Sequence, residues 1–308
     1  MPRTVRATAL TALCCTVAVT ALTGCGPLSD VRSGLDEVRT DLETAAEDVM
    51  TDGELFTGTK TLEVGGGSVN VSCSGLPADD RPVVVLMAGM GDGLDTMADL
   101  QETLSDGDRV CSYDRFGEGA SDQPEGPQSI ADVGETLTAV LDDIAGDGPV
   151  VLVGHSLGGL IAARYAPDHQ DRVAGLVLLD ATSPTMLDDI TGVIPETATG
   201  PGAEVRAQNL AVFEGENPEQ IVIESNPEVR SAGDIPTEII QHGVQYLGEI
   251  PEYGADLERV WAEGQEKWSG VSGLSELSTA EESGHYIHVD QPGIAVEAVR
   301  RVTDQAAA

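Results

Sequence analysis

Gly154-His155-Ser156-Leu157-Gly158 sets a serine between two glycines, each two residues away. An apolar run over 149–153 precedes the motif and a helix-like run over 159–165 follows it. A serine on such a strand–helix turn is a nucleophile elbow. The turn is too tight for flanking side chains, so glycines fill it. The helix behind the serine aims unpaired N–H groups at the reacting centre. The competing explanation is a glycine-rich turn with an incidental serine.

A serine hydroxyl attacks poorly until a base removes its proton, and imidazole titrates near neutrality. The chain has five histidines. His155 lies inside the turn and points wrongly for a base, so packing is its expected role. His169 and His242 sit in ordinary helix-end and strand-end contexts. His285 follows Gly284 directly after the last short strand, on the strand edge where active sites of open parallel sheets collect. His288, three residues on, is expected to be structural. No His-x-x-x-His pair, close Cys/His/Asp cluster or dinucleotide-binding glycine loop is present, so neither metal nor cofactor is expected.

These residues need a scaffold. Strand patterns fall at 60–64, 68–73, 81–88, 109–113, 149–153, 173–179, 236–241 and 277–280. Helical patterns fall at 95–104, 129–145, 159–165, 256–267 and 294–306. Apolar strands alternating with helices predict an α/β fold, a parallel sheet covered on both faces. Residues 181–234 break the rhythm, with short helical patches expected at 184–190, 203–213 and 219–224. This segment reads as an inserted cap between two parts of a core, 59–180 and 235–308.

Four motifs, in order, resemble the α/β-hydrolase family over residues ~60 to 305. Ala88-Gly89-Met90-Gly91 stands where the family carries a His-Gly oxyanion loop. The stretch Tyr113 to Ser121 is similar to its Tyr-Asp-x-x-Gly-x-Gly-x-Ser turn, with Asp114 and Arg115 expected as an ion pair or turn brace. The elbow is the third, and Ser283-Gly284-His285 followed by Asp290-Gln291-Pro292 resembles the catalytic-histidine loop. The resemblance implies a mostly parallel eight-stranded sheet in the order 1-2-4-3-5-6-7-8, with the cap between strands six and seven. It implies a Ser-His-Asp triad of Ser156, His285 and an acid, with Leu157 and Met90 N–H groups as the oxyanion hole. The family usually places its acid after strand seven, where no aspartate stands at the expected distance. Asp180, ending strand six, suits members that carry the acid there; Glu249 and Asp256 are the alternatives. The expected activity is hydrolysis of a small-molecule ester, amide or lipid through an acyl-enzyme. A non-catalytic binding scaffold is the rival, and a cofactor-free haloperoxidase-like or lyase activity a weaker one.

Residues 1–24 read as an export signal: Arg3 and Arg6 precede an apolar run, which ends in Leu22-Thr23-Gly24-Cys25. That ending resembles a bacterial lipobox, so Cys25 is expected to carry lipid and anchor the protein on the extracytoplasmic face of the cell membrane. Residues 25–58 then form the anchor and a helical stalk with one apolar stripe. The formal charge is −37, and losing Arg3 and Arg6 makes it −39, which repels nucleic acid. Oligomeric state is not legible. Cys73 and Cys111 remain as one pair in an oxidising compartment, either a disulfide or two buried thiols. The implied strand order makes their strands neighbours, which favours the disulfide.

Overall fold

The computed structural model describes residues 55–308 apart from residue 79. The expected signal, Cys25 and nearly all of the stalk lie outside the described residues. Eight strands form one sheet: β1 (Gly58–Val64), β2 (Gly67–Ser74), β3 (Val83–Met87), β4 (Val110–Tyr113), β5 (Val150–His155), β6 (Val173–Leu179), β7 (Pro236–His242) and β8 (Leu274–Ala280). Their order is β1-β2-β4-β3-β5-β6-β7-β8, as the resemblance implies. β1 and β2 pair antiparallel, as do β2 and β4; every other pair is parallel.

The helices are α1 (Ala98–Leu104), α2 (Ile130–Ala145), α3 (Leu157–Tyr165), α4 (Met186–Val193), α5 (Pro201–Phe213), α6 (Gly254–Trp268), α7 (Ile287–Asp290) and α8 (Pro292–Ala306). Ser129 caps α2 through a capping box with Asp132. Every residue of β3 and β5 is buried, because successive side chains enter opposite helical layers. Val83, Val85 and Met87 pack with α2 and α3. Val84 and Leu86 pack with α1 and α8. This two-sided burial explains why both strands read as continuous apolar runs.

Cys73 and Cys111 face each other across the β2–β4 pair and form a disulfide. Residues 181–234 connect β6 to β7 and carry α4 and α5. The helical patch expected at 219–224 is absent: Ile221 instead bridges Gln128, and Val222 N–H donates to the Gln128 carbonyl. Those backbone groups find partners outside the segment, so no helix is needed to satisfy them.

Candidate active site

The elbow forms where β5 meets α3. Ser156 takes φ 50° and ψ −116°, a region that side chains rarely enter. A Cβ on Gly154 would sit 2.4 Å from the backbone of Gly158 and Gly159, and one on Gly158 would sit 2.3 Å from the Met87 carbonyl. Glycine at both positions lets the turn close. Leu157 is the first residue of α3, so its N–H lacks an intrahelical acceptor. Ser156 Oγ lies 3.5 Å from Thr182 Oγ1. Among the described residues no hydrogen bond joins it to His285.

His285 stands on the loop between β8 and α7, with its ring centroid 4.6 Å from that of His155, the neighbour of Ser156. His285 Nδ1 lies 2.7 Å from Asp180 Oδ2. Asp180 directly follows β6, is fully buried and adopts φ 45°. Of the three acids weighed from the sequence, the structure brings Asp180 to His285. Asp256 is exposed and pairs with Arg259, while Glu249 sits in a short 3-10 turn after β7.

Asp180 has more partners than His285. Its Oδ1 accepts from the His242 backbone N–H (3.1 Å), His242 Nδ1 (2.9 Å) and Trp261 Nε1 (2.9 Å). Burial would raise this carboxyl, but hydrogen bonds and charge from His242 and His285 outweigh it and bring it down to about 2. His242 is therefore no ordinary strand-end residue. Its other ring nitrogen lies 2.9 Å from Glu258 Oε2. Four residues of α6 at spacings of three, four and three serve this region from one helix face. Glu258 holds His242, Trp261 holds Asp180, Gln265 Nε2 donates to the Ala181 carbonyl, and Trp268 Nε1 donates to the Thr182 carbonyl. Two tryptophans sharing a face with a buried Glu and Gln were the legible signal for this helix.

The remaining three histidines make ring-packing contacts. His155 Nε2 lies 3.0 Å from the His285 carbonyl. Burial, then repulsion from His285 and His288, lowers its pKa well below the usual imidazole value. His288 is buried, and burial followed by repulsion from His285 lowers it to about 4. His169 stacks on Tyr165.

The loop after β3 is held by buried charge. Arg115 donates to the Ala88 and Gly89 carbonyls (both 2.9 Å) and pairs with Glu219 (2.6 Å) and Glu118 (2.8 Å). Glu118 also accepts the Gly91 N–H at 2.9 Å. In a trans peptide the C=O and the following N–H point in opposite directions. Binding the Gly89 carbonyl therefore turns the Met90 N–H away from the guanidinium. Burial and the neighbouring Glu219 push the Glu118 carboxyl up, whereas charge and hydrogen bonds from Arg115 outweigh burial at Glu219 and lower it. Asp114 does not pair with Arg115: it braces the turn by accepting from the Leu94 and Ala120 N–H groups.

A cavity of about 400 Å³ between α2, α3 and the segment before β7 is lined by residues including Thr138, Arg164, Tyr165 and Trp268. Neither Ser156 nor His285 lines it.

Residues 82–213 match the family described as alpha/beta hydrolase fold. The chain is 36 % identical over 97 residues to a proline iminopeptidase of Thermoplasma volcanium, covering 31 % of this chain and 33 % of that one. It is 33 % identical over 134 residues to a putative carbamate hydrolase, RutD, of Azorhizobium caulinodans, covering 42 % and 50 %. The chain thus spans half or less of the length of these curated relatives. Among solved structures, a thermophilic esterase from Thermogutta terrifontis superposes with a TM-score of 0.56 at 18 % identity, covering 82 % of this chain and all of that one. The strand order, the elbow after β5 and these matches together identify the α/β-hydrolase fold.

Proposed function

We propose that this protein is a serine hydrolase that cleaves a carboxylic ester, amide or lipid through an acyl-enzyme. The observation that carries the reading is the 2.7 Å contact between His285 Nδ1 and the buried Asp180 carboxylate, beside a serine on a strained elbow. A carboxylate on Nδ1 fixes the tautomer that leaves Nε2 free to accept a proton. His285 Nε2 takes the Ser156 proton as Oγ attacks the carbonyl carbon. The oxyanion is met by the Leu157 and Met90 N–H groups, each worth ~2.7–4 kcal/mol of transition-state stabilisation. His285 then protonates the leaving group, and water repeats the sequence on the acyl-enzyme. Catalytic hydrogen bonds are often loose before substrate arrives, so the Ser156–His285 bond is expected to form on binding.

The protein works outside the cytoplasm, tethered through lipid on Cys25. The Cys73–Cys111 disulfide supports an oxidising compartment, and the Leu22–Cys25 stretch supports the anchor. The insertion over 181–234 acts as the cap. A scaffold without chemistry is the second reading, favoured by the Ser156 hydroxyl lying against Thr182. A fluorophosphonate probe separates the two, since only an activated serine is labelled. Wild type should be labelled and should hydrolyse p-nitrophenyl acetate, and Ser156→Ala should do neither. A folded wild type that resists the probe makes the protein a scaffold. Full turnover in Ser156→Ala moves the nucleophile elsewhere.

A further inference from the structure

The carboxylate that binds His285 is bound from its other side by a second imidazole. His242 Nδ1 lies 2.9 Å from both Asp180 oxygens, and Nε2 lies 2.9 Å from Glu258 Oε2. A neutral imidazole has one N–H, and an ionised carboxylate only accepts. Carboxylates on both ring nitrogens therefore require two ring protons, or else a proton on Glu258, because both Asp180 oxygens already accept from N–H groups.

The surroundings favour the ring. Asp180 faces it from the end of β6, Glu258 from α6, Tyr246 from the turn after β7 (ring centroids 4.8 Å apart) and Trp261 from α6. Glu281, just after β8, faces it across a cavity of about 300 Å³ that Gln241, Gln245 and Trp261 also line. His285 lies beyond Asp180. Arg301, which α8 brings to β7, is paired with Glu238. Burial opposes charge on His242, but hydrogen bonds and attraction from Asp180 and Glu258 outweigh it and raise its pKa. The cavity gives the ring a route for proton exchange with solvent.

We propose that His242 is a positioning residue, an imidazolium held between Asp180 and Glu258 that locks the Asp180 carboxylate and moves the acid limb of activity to lower pH. The proposal rests on the triad reading above. A cation against Asp180 offsets part of the attraction that Asp180 exerts on protonated His285. The pH dependence of serine activation reads that offset. Glu258 holds the cation in place from the side away from Asp180, so the two act as a dipole with its positive end toward Asp180. A full charge in contact shifts a titration by ~1–3 pH units, and this dipole by about 0.5–1.

The test is the pH dependence of fluorophosphonate labelling between about pH 5 and about pH 9 in the full chain. Glu258→Gln removes the second carboxylate without changing shape. His242→Asn keeps an amide N–H near the Nδ1 position without charge. In His242→Asn, which removes the cation, the midpoint of the acid limb should rise by about 0.5–1 pH unit, and in Glu258→Gln, which leaves the cation without its second counter-charge, it should move the opposite way. A role confined to packing would lower the plateau and leave the midpoint in place, and that result overturns the proposal. A measurement independent of variant folding is the ¹⁵N spectrum of the wild-type imidazoles. His242 should show two protonated ring nitrogens at neutral pH; one protonated nitrogen overturns the assignment. A wild type that the probe never labels fails the triad reading itself, whereas labelling with an unmoved midpoint fails only the role given to His242.

Discussion

Asp180→Asn tests the acid with almost no change of shape. Asp180 Oδ1 takes three donors, while Oδ2 faces His285 Nδ1 at 2.7 Å. An asparagine oxygen must stay at the Oδ1 position, where the His242 and Trp261 N–H groups are fixed. Its NH₂ then replaces Oδ2 and points at His285 Nδ1. Two donors cannot share that contact, so His285 moves its proton to Nε2 and presents Nδ1 as acceptor. A ring protonated on Nε2 cannot take the serine proton. The equivalent substitution in the serine-protease triad costs ~10⁴ in kcat, or about 5.4 kcal/mol at 1.36 kcal/mol per decade. Losing one of two carboxylates beside His242 adds a stability cost, which a thermal melt measures separately. Hydrolysis of p-nitrophenyl acetate should fall by about four decades in kcat with little change in KM. Glu249→Gln and Asp256→Asn should leave it within about twofold, as exposed or remote acids do. A folded Asp180→Asn protein that keeps more than about a tenth of wild-type kcat refutes the tautomer argument.

Three further outcomes are expected. Glu219→Gln removes the carboxylate that meets two of the Arg115 nitrogens and leaves only Glu118 beside it, so kcat should fall about tenfold through the loosened Met90 donor while KM holds. Breaking the buried pair should also cost ~3 kcal/mol, or about 6 °C in Tm, and unchanged kcat in a folded variant would detach this cluster from the chemistry. His288 is neutral when folded, with its pKa down at about 4, so the folded state binds fewer protons than the unfolded one between there and the ordinary ~6.5. Its contribution is complete above ~6.5 and declines as pH falls, by roughly 3 kcal/mol at about pH 4. Urea unfolding at several pH values should show that decline, and His288→Leu should make it shallower, with His155 and Asp180 supplying the remainder. Removing the disulfide with Cys73→Ala and Cys111→Ala opens a link across 38 residues, worth ~4 kcal/mol by loop entropy and about 8 °C in Tm. A melt that moves by less than about 2 °C would show that the sheet alone holds this edge.

The parts legible in the sequence share one property: their signal is local. The buried strands β3 and β5 announce themselves because both faces are covered, leaving no polar alternation to interrupt 83–87 or 150–153. The elbow is legible because backbone contact demands glycine at Gly154 and Gly158. What was not legible depends on partners far apart in the chain. Arg115 reads as a turn residue until Glu219 arrives from 104 positions away. The stretch 219–224 reads as helical because its pairing with Gln128 leaves no trace in its own periodicity. His242 looks like a strand end, since nothing in Gln241-His242-Gly243 reveals that Asp180 and Glu258 will stand on either side of the ring.

The place of the carboxylate that meets His285 follows from sheet register. β6 and β7 are parallel neighbours with Leu179 opposite Ile240, so Asp180 and His242 both emerge at the C-terminal edge. Adjacent strands lie about 4.8 Å apart, roughly the reach of one short side chain. A carboxylate on either strand can therefore meet the same imidazole on the loop after β8, and here the β6 strand supplies it. The left-handed backbone at Asp180 (φ 45°) turns the chain there, as its N–H donates to the Ile240 carbonyl at 2.7 Å. The end of β7 carries a histidine. An imidazole in that position has to satisfy a buried carboxylate on one edge and find an acceptor for the other. Glu258, one turn before Trp261 on α6, meets the second demand. Placing the proposed acid on β7 in a His242→Asp, Asp180→Asn pair would set the transplanted carboxylate beside Glu258 with no cation between them. The transplant should therefore need Glu258→Gln as well before activity returns, because unpaired buried like charges raise one another's pKa and leave the acid protonated.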